Sequence, residues 1–254
     1  MPISPPAAAI LTLARATLLE AWRTRVLLIW LVFVIAATAI AAFGAQLALV
    51  ESASFGVVWL GVGLRLAALL LLTFFLAASI LRERDERRSE FILGFALSRR
   101  DYLLGKLFSA AVLAAILAAS AGLVLFVANA TSVIWSVTLW LELVLICALT
   151  IFASMTLSSI AAALSFVITF YLLARLWPGL VYLSAVSPFA DQYAMLGSAA
   201  RGFAMVLPRV DLYARSEWLL GAAPHVSAFA ILHALAYIAL LMAAALIDLR
   251  RREV

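Results

Sequence analysis

The sequence predicts an all-α integral membrane protein with six transmembrane helices. The chain of 254 residues is 67% hydrophobic and only 12% charged. A soluble domain of this length could not bury so much apolar surface, so lipid must form part of its solvent. The apolar residues also fall into six long runs, with the charges gathered between them. We therefore treat residues 1–254 as one transmembrane domain.

Each predicted span follows from its length. A helix needs about 20 apolar residues to cross roughly 30 Å of hydrocarbon. The stretch SMTLSS at 154–159 divides the fourth run from the fifth, because small hydroxyl residues suit a tight turn. The runs that meet the length requirement lie at about 26–49, 57–81, 107–128, 133–154, 158–177 and 226–248.

The distribution of basic residues predicts the orientation. Lys and Arg stay preferentially on the cytoplasmic side of short loops. With both termini in the cytoplasm, that side receives three arginines before residue 26, seven basic residues from 82–106 and three arginines at 250–252. Only four arginines then lie outside. The net charge of +5 reflects this bias, and we predict no nucleic-acid partner.

Two further segments are not long enough in apolar sequence to be spans. Residues 6–25 are predicted to form an amphipathic helix in the inner membrane interface, with an apolar face of Ile10, Leu13, Leu18 and Trp22. Residues 178–225 form the only long outer segment, which is rich in proline and aromatic residues. We expect short extracytoplasmic helices there, resting on or dipping into the outer leaflet.

The outer segment also carries charged residues. They either form a gate or a docking surface for an extracytoplasmic partner, or are simply solvated. These residues are Asp191, Arg201, Arg209, Asp211, Arg215 and Glu217.

Residues 82–106, RERDERRSEFILGFALSRRDYLLGK, form the one large cytoplasmic feature. Twelve of these 25 residues are charged. Phe91, Ile92, Phe95 and Leu97 lie between two charged flanks and would form a short amphipathic helix. Such a helix could seat in a cleft on a soluble partner, with the rim charges fixing its register. Alternatively, the charges merely keep the loop in the cytosol.

The same stretch resembles the first cytoplasmic loop of type-2 ABC exporter permeases. That loop has a charged run, a Glu, a short apolar stretch and a Ser-Arg-x-x-Tyr-x-x-Gly-Lys ending. The amphipathic lead, the six spans, the long segment before the last span and the basic tail DLRRREV are also similar. Arg87 and Arg88 stand where Gly-Thr is common, and Ala96 stands where Pro is common. The matching positions are Glu90, Ser98, Arg99, Tyr102, Gly105 and Lys106.

The resemblance implies a permease subunit of an ATP-driven exporter in the bacterial cytoplasmic (inner) membrane. Two permease copies, most simply a homodimer, would pair within membrane lipids, and a separate cytoplasmic ABC ATPase would dock below them. No P-loop motif occurs in the chain, so ATP and Mg²⁺ are expected in the ATPase, with no cofactor, metal or catalytic residue here. The residues implied in ATPase coupling are Glu86, Glu90, Phe91, Ile92, Phe95, Ser98, Arg99 and Tyr102.

Ionisable residues inside the spans are a second candidate site. Arg65 and Glu142 each lie about 14 Å below the outer surface at 1.5 Å per residue. Because an unpaired charge in lipid is costly, we expect them to pair within one subunit or across a dimer. They are either part of a translocation path or a lock between helices. His233 is a candidate path residue, or a histidine simply hydrogen-bonded, for example to Tyr237.

An intramembrane enzyme and a secondary transporter are the two alternative function classes, and each would leave a signature in the sequence. An intramembrane enzyme would need a catalytic or metal constellation, but His225 and His233 are eight residues apart, no HExxH occurs, and Cys147 has no partner cysteine. A secondary transporter would normally show internal repeats or broken helices, and no convincing repeat is present. An apolar path would suit a lipid, a hydrophobic peptide or drug, or another amphiphile.

Overall fold

The computed structural model describes residues 6–47, 52–86, 98–127, 131–186, 202 and 207–251. These residues form eight α-helices and one 3-10 turn, and no strand occurs among them. The helices are α1 (Pro6–Arg23), α2 (Val26–Leu47), α3 (Ser52–Asp85), α4 (Arg99–Phe126), α5 (Ser132–Thr156), α6 (Ile160–Val186), α7 (Ser216–Leu219) and α8 (Ala228–Arg251). The 3-10 turn covers Val210–Leu212, just before α7.

Six of these helices, α2 to α6 and α8, are long and apolar enough to cross a membrane. The predicted number of spans is therefore confirmed, and the chain has the features of a multi-pass membrane protein. On the side of residues 82–106, two helices extend beyond the predicted spans. Because α3 continues to Asp85 and α4 begins at Arg99, the described flanks of 82–106 extend the spans as helix. A helix satisfies its own backbone inside or outside lipid. We call this side of the bundle the charged end.

The bundle is built around α3 and α5. Within the chain, 72% of the most apolar window of each of these helices is buried. The corresponding value is 28% for α2 and 22% for both α6 and α8. The outer helices therefore turn most of their apolar side chains away from the bundle, where lipid or another chain can cover them.

Helices α4 and α5 pack closely because small residues meet between them. A Cβ built on Gly122 would lie 2.5 Å from the Cβ of Ser136, so only glycine fits this contact. Ser136 also donates a hydrogen bond to the Ala118 carbonyl at 2.6 Å. One turn further along, Trp140 Nε1 donates to the Ala111 carbonyl at 2.9 Å. Small residues and interhelical hydrogen bonds are the usual means of joining helices in membranes.

Helix α1 packs on α4 through a face that shares Leu13 with the predicted apolar face but turns Trp22 away. Its buried residues are Leu13, Ala14, Thr17 and Ala21, whereas Trp22 is 71% exposed. Small side chains permit the close approach to α4, and the large Trp22 is turned outwards. The predicted helix is present, and its position in the membrane interface stays a prediction.

At the charged end, the turn between α5 and α6 falls within the predicted stretch 154–159, and α8 is tied to it. Thr156 donates a hydrogen bond to the Asp248 carboxylate at 2.6 Å. Arg84 Nη1 of α3 donates to the Leu157 carbonyl at 3.1 Å. The ends of α3, α5 and α8 are thus joined by side-chain contacts.

The opposite end differs from the prediction in two ways. Helix α6 continues through Pro178 to Val186, so the outer segment does not begin at 178. A proline removes one backbone hydrogen bond and kinks a membrane helix without necessarily ending it. Residues 187–201 and 203–206, with Asp191 and Arg201, lie outside the described residues.

The second difference concerns residues 207–221, which we call the strap. The strap packs inside the bundle, since Val210, Tyr213 and Ala214 are fully buried. Leu219 fits against α3, where a Cβ on Gly61 would lie 2.5 Å from its Cδ1. Irregular backbone is tolerated at this depth because the surrounding protein buries it and satisfies its polar groups.

Candidate functional site

The residues predicted for ATPase coupling divide into two groups. Four of them, Glu86, Ser98, Arg99 and Tyr102, belong to the described part of the chain. The other four lie outside the described residues, and the short amphipathic helix containing them stays a prediction. These are Glu90, Phe91, Ile92 and Phe95.

Lys106, the only lysine in the sequence, is fully buried in the second turn of α4. Its Nζ forms an ion pair with Glu83 Oε1 of α3 at 2.5 Å. It also lies 3.3 Å from Ser79 Oγ and 3.4 Å from Thr17 Oγ1. An ammonium group has three donors, and here three acceptors from two other helices surround it.

Further hydrogen bonds extend this contact into a network. The Tyr102 hydroxyl donates to the second carboxylate oxygen of Glu83 at 2.9 Å. The Ser79 hydroxyl donates to Glu20 of α1 at 2.7 Å. Because each of the three helices contributes two polar residues, none can shift alone without breaking a charged hydrogen bond. We call this set the lysine junction: Thr17, Glu20, Ser79, Glu83, Tyr102 and Lys106.

The remaining described residues of the Ser-Arg-x-x-Tyr-x-x-Gly-Lys pattern also make contacts within the chain. Ser98 caps α4 by accepting a hydrogen bond from the backbone N–H of Asp101. Arg99 Nη1 donates to the Leu249 carbonyl of α8 at 2.8 Å. A Cβ on Gly105 would lie 2.8 Å from Leu13 Cδ2, so this glycine lets α1 reach α4. The pattern thus fixes the start of α4 to α1, α3 and α8.

A polar cavity of about 570 Å³ adjoins the lysine junction between α1 and the end of α3. Glu20, Glu83 and Glu86 line it together with Arg23 and Arg82. The cavity brings the predicted coupling residue Glu86 beside two carboxylates of the junction. Its mixed charges suit contact with polar side chains of another protein.

The buried acid Glu142 forms no direct ion pair with Arg65 within the described residues, although Arg65 is close enough to interact with it electrostatically. Their pairing across a dimer stays a prediction. Its Oε1 accepts a hydrogen bond from the Tyr171 hydroxyl at 2.8 Å and lies 3.7 Å from Arg175 Nη1. Glu142 is fully buried, and its Oε2 has no hydrogen-bond partner in the described part of the chain. The partner of this carboxylate in the same chain is therefore an arginine that sequence reasoning placed outside the membrane.

Both arginines hold the strap. Arg65 Nη1 donates to the Ala214 carbonyl at 3.1 Å. Arg175 Nη1 donates to the carbonyls of Val210 at 2.6 Å and Tyr213 at 3.0 Å. The Val210 carbonyl also accepts the backbone N–H of Tyr213 at 3.2 Å. The carbonyls of Tyr213 and Ala214 have no backbone partner among the described residues and would be costly to bury alone. Two cations from α3 and α6 therefore stabilise a buried turn at the end opposite the charged end.

Tyr213 fixes the strap to α8. Its hydroxyl donates to the Ala230 carbonyl at 2.8 Å. Burial, reinforced by the negative charges of Glu142 and Asp211, raises the pKa of Tyr213 to about 12. The hydroxyl consequently keeps its proton, and its role as donor, through the physiological pH range.

The remaining predicted polar residues lie on the strap or beside it. Arg209 forms an ion pair with Asp211 at 3.0 Å, and these hydrogen bonds raise the pKa of the guanidinium. Arg215 Nε donates to the Asp211 carbonyl at 3.2 Å, and Glu217 is exposed. The His233 ring centroid lies 4.8 Å from that of Tyr237 in a tilted arrangement, but His233 makes no hydrogen bond to any described residue.

Sequence reasoning missed the partners of Lys106 and Glu142. Neither Glu83 in the charged run 82–106 nor Glu20 in the predicted interfacial helix was assigned a partner, although an isolated lysine at the start of an apolar run could have signalled a buried acid partner. Arg175 was missed because Pro178 was taken as the end of its helix. The polar side chains Thr17, Ser79 and Tyr171 carried no comparable signal.

No three His, Cys, Asp or Glu side chains within the described ranges are placed to hold a metal ion. Cys147 is a buried free thiol in the middle of α5.

No protein-family model matches the chain. A comparison with curated proteins finds no match either.

Proposed function

We propose that this chain is the membrane-spanning permease subunit of an ATP-driven transporter of the type-2 ABC exporter kind. Two copies would pair in the bacterial cytoplasmic membrane, with both termini in the cytoplasm. A separate ATPase would bind ATP and Mg²⁺ and dock at the charged end. The permease would convert closure of the ATPase into alternating exposure of a path across the membrane.

The lysine junction is the observation that carries the proposal. A coupling loop can transmit motion only if the helices flanking it move together with the rest of the bundle. Here the helices on either side of residues 87–97 are bound to each other by Lys106 and Glu83. Glu20 and Arg99 extend the contact to α1 and α8. A displacement applied between α3 and α4 would thus reach four helices through charged hydrogen bonds.

The strap supplies a second, weaker support at the other end. Its backbone closes the bundle above Glu142 and is held by Arg65 and Arg175. Polar contacts of this kind can exchange with water when the strap moves, whereas an apolar plug would cost more to expose. In this proposal the strap is the outer gate, and the buried charges form part of the path beneath it.

The decisive experiment is co-purification. The protein carries a C-terminal tag, is extracted from its native membrane in mild detergent, and its partners are identified by mass spectrometry. We expect a P-loop ATPase in stoichiometric amount with the wild-type chain. Because a few interface residues usually dominate binding, Glu90→Ala combined with Phe91→Ala should reduce its recovery at least about tenfold.

A matched control uses the same residue types at the opposite end. Glu217 and Phe126 are both exposed there, and their double alanine variant should retain the ATPase fully. Recovery of a folded, dimeric wild-type protein without any ATPase would contradict the proposed function. Equal recovery with the loop variant would show instead that the ATPase docks elsewhere.

A further inference from the structure

An aromatic pocket of about 610 Å³ lies between α6, α8 and the start of the strap. Trp177 and Tyr182 line it from α6, and Phe229 and His233 line it from α8. Its volume lies within the range of roughly 300–1,000 Å³ that is typical of small-molecule sites. This pocket is separate from the lysine junction and from the buried charges around Glu142.

The exposure of the lining residues shows which way the pocket opens. Ala174 and Leu207 form its floor, with 1% and 9% exposure, while Tyr182 and Phe229 at the rim are 68% and 58% exposed. Both rim residues belong to helices that bury little of their surface within the chain. The mouth therefore faces lipid near the end of the bundle, at the level where aromatic residues meet headgroups.

Two polar groups in the wall have unused hydrogen-bonding capacity. Arg209 uses Nε and Nη2 to bind Asp211, which leaves three of the five guanidinium N–H donors without a partner among the described residues. The His233 ring contacts those of Phe229 and Tyr237 in tilted arrangements and forms no hydrogen bond in the described part of the chain. An apolar wall with a cation at its rim matches an amphiphile with an anionic headgroup.

We propose that the aromatic pocket binds one lipid of the adjacent leaflet, with its anionic phosphate headgroup on Arg209 and the start of an acyl chain against Trp177 and Phe229. The site needs no ATPase and would be occupied in the isolated chain. This inference rests on the pocket alone. If no lipid binds there, the proposed transport function is unaffected, and if the transport proposal is wrong, the lipid site is unaffected.

Trp177 makes the proposal testable by fluorescence quenching. The chain is placed in phosphatidylcholine nanodiscs in which about one lipid in ten carries brominated acyl chains. The brominated lipid is either phosphatidylglycerol or phosphatidylcholine. Quenching at Trp177 is obtained by subtracting the fluorescence lost in the Trp177→Phe variant from the fluorescence lost in the wild type. A charge-assisted hydrogen bond should favour the anionic lipid about tenfold. At one brominated lipid in ten, brominated phosphatidylglycerol would then occupy about half of the pockets, and brominated phosphatidylcholine about a tenth.

Substitutions on the strap separate this site from general attraction of anionic lipid. Arg209→Gln should lower the Trp177 quenching by phosphatidylglycerol about fivefold, to the phosphatidylcholine level, and Arg209→Lys should retain part of it. Arg215→Gln removes the same charge from the same segment without lining the pocket and should change nothing. Equal quenching by the two brominated lipids in the wild type, or undiminished quenching in a folded Arg209→Gln variant, would overturn the proposal.

Discussion

Replacement of Lys106 by Met is expected to destabilise the protein strongly, because it leaves an acid without its partner. Breaking a buried ion pair costs about 3–5 kcal/mol. Lys106 is fully buried, but the side chain of Glu83 is 17% exposed and keeps the hydrogen bond from Tyr102. Partial rehydration of the carboxylate therefore places the loss of unfolding free energy near the lower limit, at about 3 kcal/mol.

The complementary variant Glu83→Gln should cost more. It leaves a completely buried ammonium with only the hydroxyls of Ser79 and Thr17 and a neutral amide nearby, and we expect a loss of about 4 kcal/mol. The double variant should lose at least about 2 kcal/mol less than the sum of the single losses, because the second substitution removes a charge that is already unpaired. The four proteins form a double-mutant cycle that isolates the pair.

The assay is reversible unfolding in mixed micelles by SDS titration, followed by the helical circular dichroism signal. Arg250→Met is the control, because this substitution removes a cation from an exposed position at the same end. It should change the free energy of unfolding by less than about 0.5 kcal/mol. If Lys106→Met costs less than about 1 kcal/mol, or if the two losses simply add, the junction does not hold the helices together as argued.

Three further predictions concern the strap and the helix contacts. Arg175→Ala leaves the Tyr213 carbonyl unpaired, at about 1–3 kcal/mol, and removes one of two donors to the Val210 carbonyl, so trypsin should cleave at Arg215 faster than in the wild type; an unchanged rate would contradict the anchoring role. Gly122→Ala should lower the thermal unfolding temperature by forcing α4 from α5, whereas Gly63→Ala, whose added Cβ meets nothing within 4 Å, should leave it equal or slightly higher. Tyr213 has a pKa raised to about 12, so the folded state holds its proton more tightly than the unfolded chain. Its contribution to the free energy of unfolding is complete below pH 10 and declines between about pH 10 and 12. Tyr213→Phe should reduce the fall of the unfolding free energy over this pH range. An unchanged fall would show that Tyr213 does not cause it.

The sequence predicted well whatever depends on order along the chain. Hydropathy identified six spans because crossing lipid demands long apolar runs. The turn after Thr156 was predicted because hydroxyl residues interrupted such a run. The position of the strap could not be derived, because burial of irregular backbone depends on cations contributed by distant helices. Pro178 misled the assignment, since proline marks a helix end in water more reliably than inside a bundle.

The polar contacts were predictable in type but not in pairing. Equal depth suggested that Arg65 and Glu142 would pair within one subunit or across a dimer. Within the described chain they form no direct ion pair, because depth does not fix the direction in which a side chain leaves its helix; pairing across a dimer stays a prediction. Arg175 lies 11 residues before the end of α6, or about 16 Å, and reaches Glu142 from another helix. Similarly, the pattern ending in Gly105 and Lys106 marked an important region without revealing that both residues serve contacts inside the chain.

The burial of Lys106 also gives the protein a single chemical reporter. No other side chain carries a primary amine, and this one is inaccessible to solvent in the folded state. An amine-specific acylating reagent would therefore leave the side chains unmodified until α1, α3 and α4 separate, and would then label one known atom. The rate of that labelling measures how often the charged end opens. If ATP turnover by a partner drives the opening, the rate of this single labelling event should rise with the rate of turnover.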